Sequence, residues 1–224
     1  MPLNDFTPRL VMRPATVMVV SAVALAAVLA VPVATPPVRF PDNVQVNRDT
    51  SGVATETAQA VDPLDPAHRV AAWRSLDFDT FTDTIDFAVT RDGGASWSGG
   101  RIPTPMDLEE NSLPIAAADR QGGLYVSSIG FNSNPFFADV TMFLFKSTDG
   151  GESFPLLQIL PSFAPVPLGA SVWVDPVTDA LYFFWLDFFP GTGSVVMFRS
   201  SLDGGQTFSG PVQVSRGYPN AVRE

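Results

Sequence analysis

The 224-residue chain is 46% hydrophobic and 11% aromatic, enough for a packed core and too apolar for a disordered polymer. Its formal charge of −10, with no cluster of Lys or Arg to offset it, excludes nucleic acid as a partner. The absence of cysteine excludes disulfides, thiolate metal sites and a cysteine nucleophile.

In chain order, residues 1–34 read as a targeting segment. Arg9 and Arg13 form a positive start, Val17 to Val31 is apolar apart from Ser21, and small residues at Ala30 and Ala34 offer cleavage positions. Two readings stay open, a cleaved signal peptide and an uncleaved signal anchor of near-spanning length. Both export the body, so the expected location is secreted or extracytoplasmic, with membrane attachment only through this segment. Residues 35–42 follow as a Pro-rich linker.

The body, residues 43–215, is repetitive. Short apolar runs punctuated by 21 prolines and 17 glycines predict many short strands joined by turns, an all-β class. Three octapeptides share one pattern: TRDGGASW at 90–97, STDGGESF at 147–154 and SLDGGQTF at 201–208. Asp92 and Asp149 are 57 residues apart, and Asp149 and Asp203 are 54 apart, the length of one four-stranded sheet per repeat. A second aspartate keeps step upstream, at Asp62, Asp119 and Asp175, each followed by an apolar run. The predicted repeats are 56–103, 113–161 and 169–215. A stray strand at 43–47 echoes Pro211 to Ser215, and a tail covers 216–224. Apolar runs that need cover on both faces predict sheets stacked face to face around an axis, a β-propeller of about three blades and an incomplete ring. Its open edges favour self-association, either by two chains closing a ring or because further blades are missing.

Within each octapeptide the chemistry is that of a turn. The glycine pairs Gly93-Gly94, Gly150-Gly151 and Gly204-Gly205 permit positive φ, and Asp92, Asp149 and Asp203 accept backbone N–H groups. Trp97, Phe154 and Phe208 plug the hairpin. Turn closure accounts for the three aspartates better than catalysis or metal binding does, because one catalytic pair has no reason to recur once per repeat. The loop Leu76 to Thr84 is acidic, with Asp77, Asp79 and Asp83, and Asn132 to Asp139 is a second long loop. His68 reads as an exposed loop residue, and Tyr125 and Tyr182 as core. No cofactor motif is present, and calcium held by acidic loops is the one metal considered, without a recognisable ligand spacing.

The octapeptides resemble the Asp box, or bacterial neuraminidase repeat, of the sialidase superfamily, over about Asn43 to Ser215. That resemblance implies a sialidase-like propeller with the boxes at its periphery, and an exported glycosidase that removes terminal sialic acid. In such an enzyme arginines grip the substrate carboxylate, an aspartate is the acid/base, and a tyrosine is the nucleophile. Carried onto this chain, it offers Asp79 and Asp83 for the acid/base region and Arg74 and Arg199 as substrate arginines. The stretch where the family's first arginine belongs, Gly52 to Ala60, contains none; Arg39 and Arg101 stand in similar tripeptides on either side of it. The alternative function is a non-catalytic glycan-recognition or scaffold module at the cell surface.

Overall fold

The computed structural model describes residues 44–47, 52–80, 82–132, 138–162, 164 and 166–216. The targeting segment, the linker, the tail beyond Arg216 and the middle of the Asn132–Asp139 loop lie outside the described residues. Among the described residues no helix is long and apolar enough to cross a membrane.

Among the described residues twelve strands make three four-stranded antiparallel meanders. The first sheet is β1 (Val53–Val61), β2 (Arg69–Asp77), β3 (Thr82–Thr90) and β4 (Ser98–Ile102). The second is β5 (Glu110–Ala118), β6 (Leu124–Asn132), β7 (Ala138–Ser147) and β8 (Leu156–Leu160). The third is β9 (Val166–Val174), β10 (Leu181–Phe189), β11 (Gly193–Ser201) and the short β12 (Val212–Gln213). This is the all-β, three-blade arrangement that the repeat spacing predicts.

The blades stack through their faces. Val70, Ala72, Ile85, Phe87 and Val89 of the first sheet pack on Leu124, Val126, Phe143 and Phe145 of the second. On the opposite face of the second sheet, Tyr125, Ile129, Met142 and Leu144 pack on Val172, Leu181, Phe183, Trp185 and Met197 of the third. Strand alternation sends neighbouring side chains to opposite faces, so one four-stranded sheet serves two cores. On β10, Leu181, Phe183 and Trp185 point inward. Tyr182 pairs with Trp173 on the outer face and stacks against it at 5.6 Å, which corrects its expected place in the core. Among the described residues no fourth sheet covers this face, and Trp173 stays 53% exposed.

Each first strand carries a bulge at the same repeat position. The β1–β2 register shifts between Thr55 and Ala58, the β5–β6 register between Ser112 and Ile115, and the β9–β10 register beside Gly169. Glu56 (φ 51°), Leu113 (φ 56°) and Gly169 (φ 61°) occupy the left-handed region there. They are also the first residues of the three predicted repeats. The strands begin three residues earlier because the chain keeps pairing across the bulge.

At the opposite end of every sheet lies an Asp-Gly-Gly turn. Asp149 Oδ1 accepts the Ser147 hydroxyl at 2.6 Å and the Ser153 amide at 3.1 Å, and its Oδ2 accepts the Ser153 hydroxyl at 2.6 Å. Asp92 and Asp203 repeat this set with Thr90 and Ser96, and with Ser201 and Thr207. The second glycine has a further duty. A Cβ on Gly151 would run into Val89 of the first sheet, and one on Gly205 into Leu157 of the second. Turn shape and blade approach therefore select the same residue.

Across each interface the preceding blade reaches to the turn. His68, 8% exposed rather than a loop residue in solvent, sets Nδ1 3.2 Å from Asp62 Oδ2 and Nε2 3.1 Å from the Gly150 carbonyl. One blade on, the Tyr125 hydroxyl donates to Asp119 at 2.8 Å and approaches the Gly204 carbonyl at 3.4 Å. Phe154 is buried against Phe87 of the preceding blade, whereas Phe208 lies against Phe183 of its own sheet, packed on the core between the second and third blades. Trp97, whose sheet has no blade before it among the described residues, instead folds back so that its Nε1 donates to the Gly94 carbonyl at 3.1 Å. Over its described residues the expected strand at 43–47 is not formed: residues 44–47 belong to no ladder, and the segment they echo joins β11 at Val212 and Gln213, with the Val214 amide donating to the Val196 carbonyl at 2.9 Å.

The turn aspartates make acid sensitivity predictable. Hydrogen bonds from Thr207 and Ser201 hold Asp203 down at about 2, and the hydroxyls of Ser96 and Thr90 and of Ser147 and Ser153 hold Asp92 and Asp149 well below the ordinary carboxylate range. A depressed folded-state value means stability that is present above the unfolded-state value of about 4 and lost as pH falls through the folded one. Thermal unfolding followed by circular dichroism is expected to show Tm dropping between about pH 4 and pH 2. Asp149→Ala lowers Tm by a few degrees at pH 7 and flattens that acid drop.

Candidate functional site

At the end of the blades away from the Asp-Gly-Gly turns, four charged side chains from three strands and a bulge meet between the first and second sheets. Arg74, near the end of β2, donates from Nη2 to Asp83 Oδ2 at the start of β3 and from Nη1 to Glu56 Oε1 at 3.3 Å. The other oxygen of Glu56 crosses the interface and accepts the Leu113 amide at 2.8 Å. In return Glu110, the first residue of β5, accepts the Asp83 amide at 2.7 Å. Burial opposes the charge on Arg74, but the hydrogen bonds and field of Asp83 and Glu56 outweigh it and raise the guanidinium above its ordinary value. Asp83 is 3% exposed, and one of its oxygens, Oδ1, has no hydrogen-bond partner. The Arg74 Nε and both amide atoms of the fully buried Asn111 are likewise unpartnered. Unsatisfied polar atoms are rare in folded cores, so their grouping here marks a place where packing is not the only demand.

A pocket of about 210 Å³ opens beside this network. Glu56, Arg74 and Ser112 form its polar wall, and Leu113, Ile129, Phe131, Val140 and Leu168 line the rest. A larger hollow of about 450 Å³ is the uncovered outer face of the first sheet, by Trp73, Gly99 and Gly100; its charges answer each other, Arg101 Nε donating to Asp86 at 2.8 Å.

The repeat supplies an internal control for the charged cluster. Glu56, Arg74 and Asp83 correspond by bulge and strand register to Leu113, Ile129 and Val140 in the second blade. There the same backbone positions carry apolar side chains, and the blade forms. The fold alone therefore does not demand a charged triad at these positions.

Of the four site residues offered by the sequence, Arg74 and Asp83 come together and the other two stand apart. Asp79 lies in an exposed turn, where its amide donates to Asp77 Oδ1 at 2.8 Å. Arg199 sits on β11, its guanidinium 5.7 Å from the centre of the Trp185 ring, and burial pushes it below its ordinary value. Glu56, Glu110 and Asn111 escape a motif search; the signal that exposes Glu56 is the comparison of repeat positions. Among the described residues no group of three His, Asp or Glu side chains is placed to hold a metal ion.

No protein-family model matches the chain, and no curated protein does. Solved structures do. An α-L-arabinofuranosidase of Fusarium graminearum in complex with arabinobiose superposes with TM-score 0.58 at 12% identity, over 77% of this chain and 52% of that one. An α-L-arabinanase of Penicillium chrysogenum complexed with arabinobiose gives 0.58 at 11%, over 76% and 52%. An ulvan lyase bound to a GlcA(1-4)Rha3S repeat gives 0.55 at 10%, over 77% and 45%. The chain spans about half the length of these structures, and at such identity the likeness is one of fold.

The triad swap Glu56→Leu, Arg74→Ile and Asp83→Val copies the second blade into the first. Replacing a buried ion network by apolar groups that already pack in this setting is expected to leave stability unchanged or raise it by about 1–4 kcal/mol. Arg74→Ala alone strands the Asp83 carboxylate and costs about 3 kcal/mol. Urea unfolding of the two variants checks the contrast.

Proposed function

We propose that this chain is an exported, saccharide-acting β-propeller of the glycoside-hydrolase type, with its sugar site in the pocket beside Glu56, Arg74 and Asp83. The observation that carries this reading is the replacement of Leu113, Ile129 and Val140 by a charged triad at matched positions in the neighbouring blade. Cleft ends of blades are where propellers and α/β folds alike place ligands, because loops and strand ends converge there on rigid supports. The solved structures of similar fold hold saccharides, arabinobiose in two of those described above. Glycoside hydrolysis asks for carboxyl groups flanking the scissile bond, one to protonate the leaving oxygen and one to assist water or the ring. Glu56 is the carboxyl group that lines the pocket, and the buried carboxyl groups of Asp83, on Arg74, and Glu110, on the Asp83 amide, lie beside it. The apolar wall suits the C–H face of a sugar ring, and Phe131 supplies an aromatic surface for it.

A second reading, a module that binds glycan without turnover, is favoured by one feature: Arg74 engages two of the three carboxylates at once. Both readings share the pocket and differ in chemistry. Saturation-transfer NMR with a panel of oligosaccharides is expected to show binding by the wild-type chain that the triad swap removes while its Tm holds. New reducing ends in the same samples indicate the hydrolase, and binding without them the recognition module. Equal binding by wild type and swap, or none by the wild type, would sink the proposed site.

A further inference from the structure

We infer that the outer face of the third sheet docks against the same face of a second copy of this chain. On β10 and β11 every second side chain turns outward, from Tyr182 to Phe188 and from Ser194 to Ser200. Trp173 joins them from β9 and Val212 from β12. Trp173, Phe184, Phe188 and Val212 are each more than a third exposed. The rings are already set against one another, Trp173 on Tyr182 at 5.6 Å, Tyr182 on Phe198 at 5.8 Å and Phe198 on Phe184 at 4.9 Å. A patch of aromatic side chains held in place this way loses little conformational freedom when it is covered, and covering it releases water from apolar surface.

The repeat shows what this face is not shaped to meet. Trp173, paired with Tyr182, stands where the first and second sheets have Ala60 and Ala117. Phe184, paired with Phe198, stands where they have Ala72 and Ser127. Small side chains at these positions let the next blade come close, and the Ser127 hydroxyl donates to the Ala170 carbonyl of the third sheet at 2.9 Å. Trp173 and Phe184 fill that space and hold a partner further off than one blade stands from the next. The outer face of the first sheet is no better match, since its Trp73, Asp86 and Ala88 are already buried and Arg101 sets a charge at its surface. Charge then selects the occupant. With 13 basic and 23 acidic side chains, two copies of this chain repel each other in most orientations. The outward positions just named hold no charged residue, so laying one third sheet on the other brings no like charges together. A two-fold axis relates the two faces, each row of rings can lie over the partner's small Ser171, Ser194 and Ser200, and the assembly closes at two copies.

Sedimentation velocity on the full chain, over a hundredfold range of concentration, tests this. The expected result is conversion from one chain to two as concentration rises, with no larger species. Trp173→Arg combined with Phe184→Arg puts like charges on exposed positions of both faces, and should move the midpoint of association at least hundredfold toward higher concentration while Tm holds. Should the arginines lower Tm, Trp173→Ser with Phe184→Ser removes the rings at the same positions and should still weaken the pair at least tenfold. Ala71→Arg, at an outward position of the first sheet, should leave the midpoint unchanged. A chain that stays single throughout, or a dimer indifferent to both changes on the third sheet, would overturn the inference. A dimer broken by Ala71→Arg with its Tm intact would do the same, being the mark of head-to-tail closure, and so would assembly that continues past two copies.

Discussion

A four-stranded sheet of nine-residue strands has two faces to bury, and its own hairpins can bury neither. That constraint organises this molecule. The second sheet solves it fully, with Phe143 and Phe145 turned to one neighbour and Met142 and Leu144 to the other. Among the described residues the outer sheets solve it on one side only, and they do so differently. The first presents small residues and an Asp86–Arg101 pair outward, a surface suited to water. The third presents Trp173, Tyr182, Phe184 and Phe198. Phe198 stands at the repeat position that Phe87 and Leu144 fill in the two preceding interfaces, so its strand is patterned for cover even where the described residues provide none.

Against that apolar background the charged cluster between the first two blades is costly. Desolvating Asp83 and much of Arg74 is offset by the pairing of Arg74 with Asp83 and Glu56, and the neighbouring interface shows that aliphatic side chains fit the same frame without any such cost. Proteins keep expensive groups where chemistry needs them, and unpartnered atoms on Asp83, Arg74 and Asn111 reinforce that view. Geometry also locates the cluster sensibly. The Asp-Gly-Gly turns, His68 and Tyr125 bind blade to blade at one end, which leaves the opposite end to be shaped by other demands.

Much of the fold is legible in the sequence because its signals are local and repeated. Gly93, Gly150 and Gly204 announce tight turns by backbone chemistry alone, and their spacing counts the blades. Signals that depend on which neighbour exists are harder to read. Trp97 and Phe154 occupy the same octapeptide position, yet among the described residues the preceding blade is there for Phe154 alone of the two. His68 looks like a loop histidine until the next blade brings the Gly150 carbonyl to it. The site lies between these cases. Arg74 and Asp83 stand out as charged residues near an acidic loop, but Glu56 sits in an unremarkable polar strand and acquires its role through a bulge that turns it toward Arg74 and Leu113. Family resemblance read from the turns speaks to the scaffold and is silent on the sugar.

The bulges in β1, β5 and β9 hold one backbone vertex in three copies and dress it with glutamate, leucine and glycine. Strain at that vertex is met by the ladder on either side, not by the side chain it bears. Each copy is consequently an interchangeable socket, open to mutation without refolding the strand that carries it. A lineage built on such a frame is free to relocate or retune its binding chemistry around the axis by point substitution, which explains how one architecture supports unrelated ligands while its turns stay the same.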